Sequence, residues 1–387
     1  MAKIIVTSHV VRFPLGGLLS WALQWVLGFH RLGHDVCFVE KPGWKRSCYN
    51  PIDGTVSDDG SYGAGVAGAM FERYGLRDRW CYVDAQNRYY GMQQPEVKSW
   101  FRSADVFIDM SADSFGDRSL TWTDEAADAR IRVFIDSEPG YFQARMQAAE
   151  AQGRALPEYD HYYTVGLNVG TPGCSVPTAG RQWRGIVDPV VPEIFPVSPP
   201  PPDGPFTTVM SWQAHDERKF VVSGYGQKDL EFMKFIDLPA QSHERMEVAL
   251  GGKNAPLDLL QRSGWSVRDA QEVTLSLDRF YDYIAASKGE FTACKNVFVA
   301  TKSGFFSERS AAYLASARPV VTQDTGFSAH FPCGEGLFAV TTVEEAAAAI
   351  EQIAGDYSRH SRAARRMAEE FFNARKVCQR LLDDIGV

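Results

Sequence analysis

Little in this chain ties it to a membrane, a metal or an oxidising compartment. No apolar stretch reaches the roughly 20 residues that a bilayer-spanning helix needs. The nearest, LLSWALQWVLGFH, is broken by Gln24 and stops at His30. The start, MAKIIVTSHV, has a strand's pattern and lacks the basic opening and apolar centre of a secretion signal. Seven cysteines (Cys37, Cys48, Cys81, Cys174, Cys294, Cys333, Cys378) are scattered without a Cys-x-x-Cys pair. That pattern implies reduced thiols rather than a disulfide framework. A cytoplasmic protein with no transmembrane segment is expected. The formal net charge is −8, with no block of like charge. General nucleic-acid binding is therefore not expected, which leaves only the option of a local basic cleft. There is no Asp-x-Asp motif, no histidine cluster, no Walker A loop and no Gly-x-Ser-x-Gly elbow.

What is present is alternation. At 387 residues the chain exceeds one ordinary core, so two domains are expected. KIIVTS is a compact apolar strand, a Gly-Gly turn and the helical LLSWALQWVLGFHRLG follow, and HDVCFVE is a second strand. This is the opening βαβ unit of a doubly wound sheet. Further strands are predicted at 104–109 and 129–136, each ending in Asp, and at 159–166. VVPEIFPVSPPPPDGPF carries four consecutive prolines, which sustain neither helix nor central strand. Beyond it FTTVMSW and RMEVALGG read as strands, GQKDLEFMKFIDLP and APLDLLQRSG as helices, and NVFVATK as a strand after a Tyr-rich helix. The tail from Val343 is helical. The expected organisation is α/β with two facing Rossmann-like domains and a cleft between them. Residues 1–190 form the first domain, 191–206 a Pro-rich linker and 207–365 the second, while the helix 366–387 packs back on the first.

Two motifs carry a resemblance. GFFSERSAAYLASARPVVTQDTGF is similar to the donor-binding segment of the glycosyltransferase group 1 and spore-coat-like families, and FPLGGLLSWA to the Gly-Gly loop after their first strand. The resemblance implies the GT-B fold of nucleotide-sugar transferases. In that fold the acceptor binds the first domain and the nucleotide-sugar donor the second. It also implies a metal-independent, hexosyl-type glycosyltransferase that needs no cofactor and takes a UDP- or TDP-sugar to a small-molecule or glycan acceptor. The chain departs from group 1 at the paired glutamates: the expected positions fall on Ser303 or Gly304 and on Ala311 or Ala312. A non-catalytic nucleotide-sugar-binding auxiliary protein and a nucleotide-sugar epimerase of the same fold are the alternatives.

The chemistry of a diphosphate explains the donor candidates. A helix N-terminus offers free N–H groups and partial positive charge. Arg309 in the first turn adds a fork for phosphate oxygens, and Glu308 could accept from ribose hydroxyls. Ser307 is placed to cap the helix, which needs no ligand. Gly16 and Gly17 would let backbone approach the donor. Gly326 would do the same for the sugar, with Gln323, Asp324 and Thr325 as hydroxyl partners. Lys228, just after the strand 206–212, is expected to face the diphosphate or to be a surface lysine. Glu290 and Lys295 lie in SKGEFTACKN, read as a cleft loop or an ordinary turn.

An acceptor hydroxyl needs a base if the sugar inverts. His9, at the end of the first strand, is one candidate or a structural histidine. Asp136 and Glu138, after the strand 129–136, are others, and Asp109 is a weaker one. GAGVAG (63–68) matches Gly-x-Gly-x-x-Gly but follows a polar turn rather than a strand, so a dinucleotide site there is not expected. The Ala- and Arg-rich composition is compatible with a high-GC bacterium, where natural products and envelope glycans are both plausible acceptors.

Overall fold

The computed structural model describes residues 1–111, 118–199, 203–213 and 225–387. The middle of the Pro-rich connector, 200–202, lies outside the described residues. The first half contains β1 (Lys3–Thr7), β2 (Asp35–Glu40), β3 (Cys48–Asn50), β4 (Thr55–Ser57), β5 (Trp80–Val83), β6 (Tyr89–Gly91), β7 (Val106–Asp109), β8 (Ile131–Asp136), β9 (His161–Thr164) and β10 (Trp183–Gly185). Eight of these form one sheet in the order β10-β9-β8-β7-β1-β2-β5-β6, and β3 pairs with β4 as a separate hairpin. Every pairing in the large sheet is parallel except β5 with β6. Parallel strands covered on both faces should be apolar throughout, and Ile4, Ile5 and Val6 of β1 are all fully buried.

The second half contains β11 (Phe206–Ser211), β12 (Met246–Gly251), β13 (Ser266–Asp269), β14 (Gly289–Thr292), β15 (Val320–Gln323) and β16 (Leu337–Val340). They form an all-parallel six-stranded sheet in the order β13-β12-β11-β14-β15-β16. One predicted strand is misplaced. NVFVATK, with its β-branched run, forms the helix Asn296–Ala300, and the strand is Gly289–Thr292 just before it. Gly289 makes that choice possible, since a Cβ there would sit 2.5 Å from the Phe206 ring on the neighbouring strand.

The first helix (Gly16–Arg31) joins the two halves. Twelve of its residues are buried: Gly16, Leu19, Ser20, Trp21, Ala22, Leu23, Gln24, Trp25, Val26, Leu27, Gly28 and Phe29. A Cβ at Gly28 would come within 2.5 Å of Cys378 Sγ on the C-terminal helix (Ala374–Asp384), so that helix packs closely on the first half. Asp384 on the same helix meets Arg184 of β10 at 2.8 Å. A π-helical turn at Ala368–Phe372 interrupts the tail, where Val190 donates to Phe372 O and accepts from Ala374 N, both at 2.7 Å. These bonds fix the stretch just before the Pro-rich connector against the tail.

The loop after β1 is equally fixed. Glu40, at the end of β2, accepts from the backbone N–H groups of Val10, Val11 and Arg12 and from Arg12 Nε at 3.1 Å, with both side chains fully buried. GAGVAG begins the helix Ser61–Arg73, and Gly63 is needed there because a Cβ would lie 1.9 Å from the Val11 carbonyl oxygen. GAGVAG is therefore helix packed on the loop after β1, and the strand β4 that precedes it belongs to the two-stranded hairpin and not to the parallel sheet.

Candidate active site

Two adjoining cavities lie between the halves and share three cationic side chains, Lys228, Lys295 and Arg309. The larger, about 600 Å³, is bounded by the carboxyl ends of β11, β12 and β13 through Val209–Ser211, Leu250–Gly252 and Asp269–Gln271, with Leu15 and Tyr49 from the first half. The carboxyl ends of parallel strands are where open α/β sheets take ligands. The smaller, about 220 Å³, is reached by Leu18, Trp21, Ser137, Glu138 and Asp188 from the first half. From the second half it receives Cys294, Phe298, Phe305, Ser307 and Glu308.

Arg309 sits in the first turn of the eight-residue helix Glu308–Ala315. Its Nε donates to Glu290 Oε1 at 2.6 Å, one terminal nitrogen to the Val209 carbonyl at 2.8 Å and the other to Thr292 Oγ1 at 3.0 Å. These bonds aim the guanidinium along the ends of β11 and β14, and they use only part of its fan of five N–H groups. Ser307 caps the helix by accepting from Arg309 N and donating to Glu308. The capping residue also lines the smaller cavity.

Lys228 has no hydrogen-bond acceptor among the described residues. Burial, and then the nearby Arg309, lower its ammonium to about 7. An unpaired amine crowded by two cations and opening on a cavity is a site that an anion would relieve. Lys295 is paired across the cleft with Glu138 and lies over the rings of Tyr141 and Phe298.

The structure thus brings six of the predicted residues to the shared cavities: Glu138, Lys228, Lys295, Ser307, Glu308 and Arg309. Others stand behind them. Glu290 belongs to β14 rather than to a cleft loop; it is fully buried and holds Arg309. Gln323 is buried, with its amide oxygen on Cys294 N and its amide nitrogen on Glu231. Thr325 donates to the Phe305 carbonyl at 2.6 Å, and Asp324 closes its own turn on Gly326 N and Ser328. Gly326 has φ of 93°, and a Cβ on it would lie 2.7 Å from Asn168 Nδ2. Asn168 of the first half donates to the Lys302 and Gly326 carbonyls, so this turn ties the halves together and lines neither cavity.

Gly16 and Gly17 begin the first helix, and the group that approaches Gly16 is protein. A Cβ there would meet Phe280 Cβ at 2.5 Å and the Ser276 carbonyl at 2.6 Å, whereas at Gly17 the nearest atom is 3.9 Å away. His9 lines neither cavity. Its Nδ1 meets the Arg12 guanidinium, and burial, then Arg12, pushes the imidazole well below its ordinary value. Asp136 is fully buried: Oδ2 accepts from Gln143 and Thr164 and Oδ1 from Glu138 N, each within 2.8 Å. It shapes the turn that presents Glu138 and does not face the cavity. Asp109 accepts from Ser111 and Tyr159 and borders a separate cavity of about 320 Å³ in the first half.

Asp188 is the residue that motif reading missed. A lone Asp in GIVDPVVP has no signature, and only the fold brings it beside Trp21 and Glu308. Among the described residues no group of three His, Cys, Asp and Glu could hold a metal ion, and no helix is long and apolar enough to cross a membrane.

No protein-family model and no curated protein matches the chain. Solved structures do match, over essentially the whole length. AviGT4, a glycosyltransferase involved in avilamycin A biosynthesis, is 17% identical with a TM-score of 0.55, covering 99% of this chain and 97% of its own. Anabaena HepE in complex with UDP-glucose is 12% identical with a TM-score of 0.57, covering 100% of both. Sucrose-phosphate synthase from Thermosynechococcus elongatus is 12% identical with a TM-score of 0.54, covering 99% and 98%. Two Rossmann-like sheets facing across one cleft, a tail returning to the first of them and this whole-length likeness establish that the protein has the GT-B fold.

Proposed function

We propose that the protein transfers a sugar from a nucleotide diphosphate sugar to an acceptor hydroxyl. The observation that carries this reading is the convergence of Lys228, Lys295 and Arg309 on the partition between two cavities. A nucleoside diphosphate sugar has its charge in its middle, with a large nucleoside on one side and a small sugar on the other. The larger cavity suits the nucleoside, the three cations the diphosphate and the smaller cavity the sugar. HepE, described in complex with UDP-glucose, supports this assignment by its fold.

Leaving-group stabilisation is the main task in such a transfer, because negative charge builds on the diphosphate as the glycosidic bond breaks. Cationic side chains on the cavity walls meet that demand, and the proposal includes no metal and no cofactor. Residues from both halves line the smaller cavity, which supports a reading in which the acceptor approaches from the first half. Closure over the donor would limit its hydrolysis.

The test is thermal-shift and calorimetric titration with UDP, TDP, GDP and NAD, followed by incubation with the matching nucleotide sugars. A ligand that binds only the native state raises the melting temperature with concentration. Stabilisation by one nucleoside diphosphate, with consumption of its sugar conjugate, supports the reading. Stabilisation without consumption would make the chain a binding protein, and no stabilisation by any diphosphate would end the proposal.

A further inference from the structure

The carboxylate of Asp188 is held in an unusual way. The indole N–H groups of Trp21 and Trp25 both donate to its Oδ1, at 2.7 and 3.3 Å. Both tryptophans lie on the first helix, one turn apart. Oδ2 receives no hydrogen bond from the described residues and is not among the sealed, partnerless buried atoms. Asp188 itself is only 4% exposed and lines the smaller cavity. One oxygen is therefore anchored and the other is presented to the cavity.

The rival bases are otherwise engaged. Glu138 is paired with Lys295, Asp136 is enclosed by three donors, and His9 is turned to Arg12 outside the cavity. Glu308, from the first turn of its helix, accepts from Ser307. The charged groups around Asp188 are Glu308 from that helix and Asp136 from β8, with Glu138, Lys228, Lys295 and Arg309 lining the same cavity. Burial first, then Glu308, raises the Asp188 carboxyl to about 7, while the two indoles pull it down. A base that titrates near the working pH transfers protons most effectively.

Building on the nucleotide-sugar reading above, we propose that Asp188 is the general base of the transfer. Its Oδ2 takes the proton of the incoming hydroxyl as that oxygen bonds to the anomeric carbon. The bond from that carbon to the diphosphate oxygen breaks at the same time. Its electron pair leaves on the diphosphate, against Arg309, Lys228 and Lys295. Attack and departure on opposite faces invert the anomeric configuration. Trp21 and Trp25 are positioning residues, which fix the carboxylate and set its basicity.

The experiment uses water as the incoming hydroxyl and UDP-glucose, UDP-N-acetylglucosamine, TDP-glucose and GDP-mannose as donors. Hydrolysis of the donor that most stabilises the wild type is followed from pH 5 to 9. The wild-type rate should rise through a limb near pH 7, and the first sugar released should have inverted configuration. Asp188→Asn keeps an acceptor for both indoles, so the donor's thermal shift should be unchanged. Its hydrolysis should fall about 10²–10⁴-fold, with the limb lost. Trp21→Phe keeps the carboxylate and removes its shorter hydrogen bond, so the limb should move to higher pH, which a merely structural role would not produce. If Asp188→Asn keeps the wild-type rate and profile, if Trp21→Phe leaves the limb in place, or if a bound donor is hydrolysed with retained configuration, the assignment of Asp188 falls and the donor reading stands. A donor that binds and is hydrolysed at no pH leaves a binding protein, and the assignment falls with the transfer reading. If no donor stabilises the wild type, both fall together.

Discussion

Arg309 Nε donates to Glu290 Oε1 at 2.6 Å, and the glutamate has no exposed surface while the arginine keeps a small part of its own at the cavity. The buried carboxylate needs the guanidinium, and the guanidinium needs the carboxylate to keep its direction. Glu290 Oε2 has no partner among the described residues. Removing Arg309 alone would therefore strand a buried charge.

The first prediction separates those two roles. Arg309→Ala should lose about 3–5 kcal/mol of stability, the range for breaking a buried pair from one side. It should also lose diphosphate-dependent stabilisation. Arg309→Met combined with Glu290→Gln should recover most of the stability in urea denaturation and none of the diphosphate binding. Recovery of binding in the double variant would show that Arg309 only supports the fold.

Lys228 yields a prediction with a sign. Its folded-state value of about 7 means the free protein holds it mostly neutral at pH 8 and mostly charged at pH 6. A bound diphosphate favours the charged form, so binding should take up a proton at pH 8 and much less at pH 6. A nucleotide sugar is the ligand to use, because its diphosphate does not itself titrate in this window. Calorimetry in two buffers of different ionisation enthalpy reads the uptake. Lys228→Met should abolish this component, and Asp188→Asn shows how much of the remainder belongs to that carboxylate. Equal uptake in wild type and Lys228→Met would remove Lys228 from the diphosphate site.

Asp136 should matter to stability and little to chemistry. Asn in its place offers one acceptor and an NH₂ group to three donors, so Asp136→Asn should cost about 1–3 kcal/mol at pH 7. The wild-type carboxyl has a folded value of about 6, raised first by burial, against an unfolded value of about 4. Its stabilising contribution is complete below the unfolded value and is lost as pH rises through 6. The deficit of the variant should therefore widen from pH 7 to pH 5. A deficit that does not change over that interval would contradict the placement of this group.

The fold was largely legible because parallel strands buried on both faces leave short apolar runs between helices, as at Ile4–Val6. The helix Glu308–Ala315 was legible for a local reason: Ser307, Glu308 and Arg309 are adjacent in sequence, and a cap followed by a charged turn is a pattern of neighbours. Lys295 was found because SKGEFTACKN reads as a cleft loop, although that stretch contains the strand and the apolar Val-Phe-Val after it, read as the strand, is helix. The base was not legible. Asp188 acquires its setting from indoles 163 and 167 positions away in sequence, and no local pattern encodes such a contact. His9 and Asp136 have the right place at strand ends but face inward, a distinction made by Arg12, Gln143 and Thr164. The Gln323–Gly326 turn has polar side chains because it binds Asn168 and Phe305, where the sequence pattern suggested a sugar.

The last prediction concerns two glycines that the sequence presents alike. At Gly16 a Cβ would press on Phe280 Cβ and on the Ser276 carbonyl, and neither can rotate away, since one is bound directly to the backbone and the other is backbone. Gly16→Ala must therefore move the first helix away from the second half. Overpacking of this kind costs about 1–3 kcal/mol. Because Leu18 and Trp21 of that helix line the cavity and Trp21 holds Asp188 there, donor-dependent stabilisation should weaken as well. Gly65, the middle glycine of GAGVAG, has nothing within 4 Å of the place a Cβ would take and lies within the helix Ser61–Arg73. Gly65→Ala should stabilise the protein by about 0.5–1 kcal/mol through helix propensity and leave donor binding unchanged. Thermal denaturation of both variants, with and without the stabilising nucleotide, makes the comparison. A Gly65→Ala protein that loses nucleotide binding would place a ligand at GAGVAG after all, and a Gly16→Ala protein with wild-type binding would show that the contact between the first helix and Phe280 does not set the geometry of the cleft.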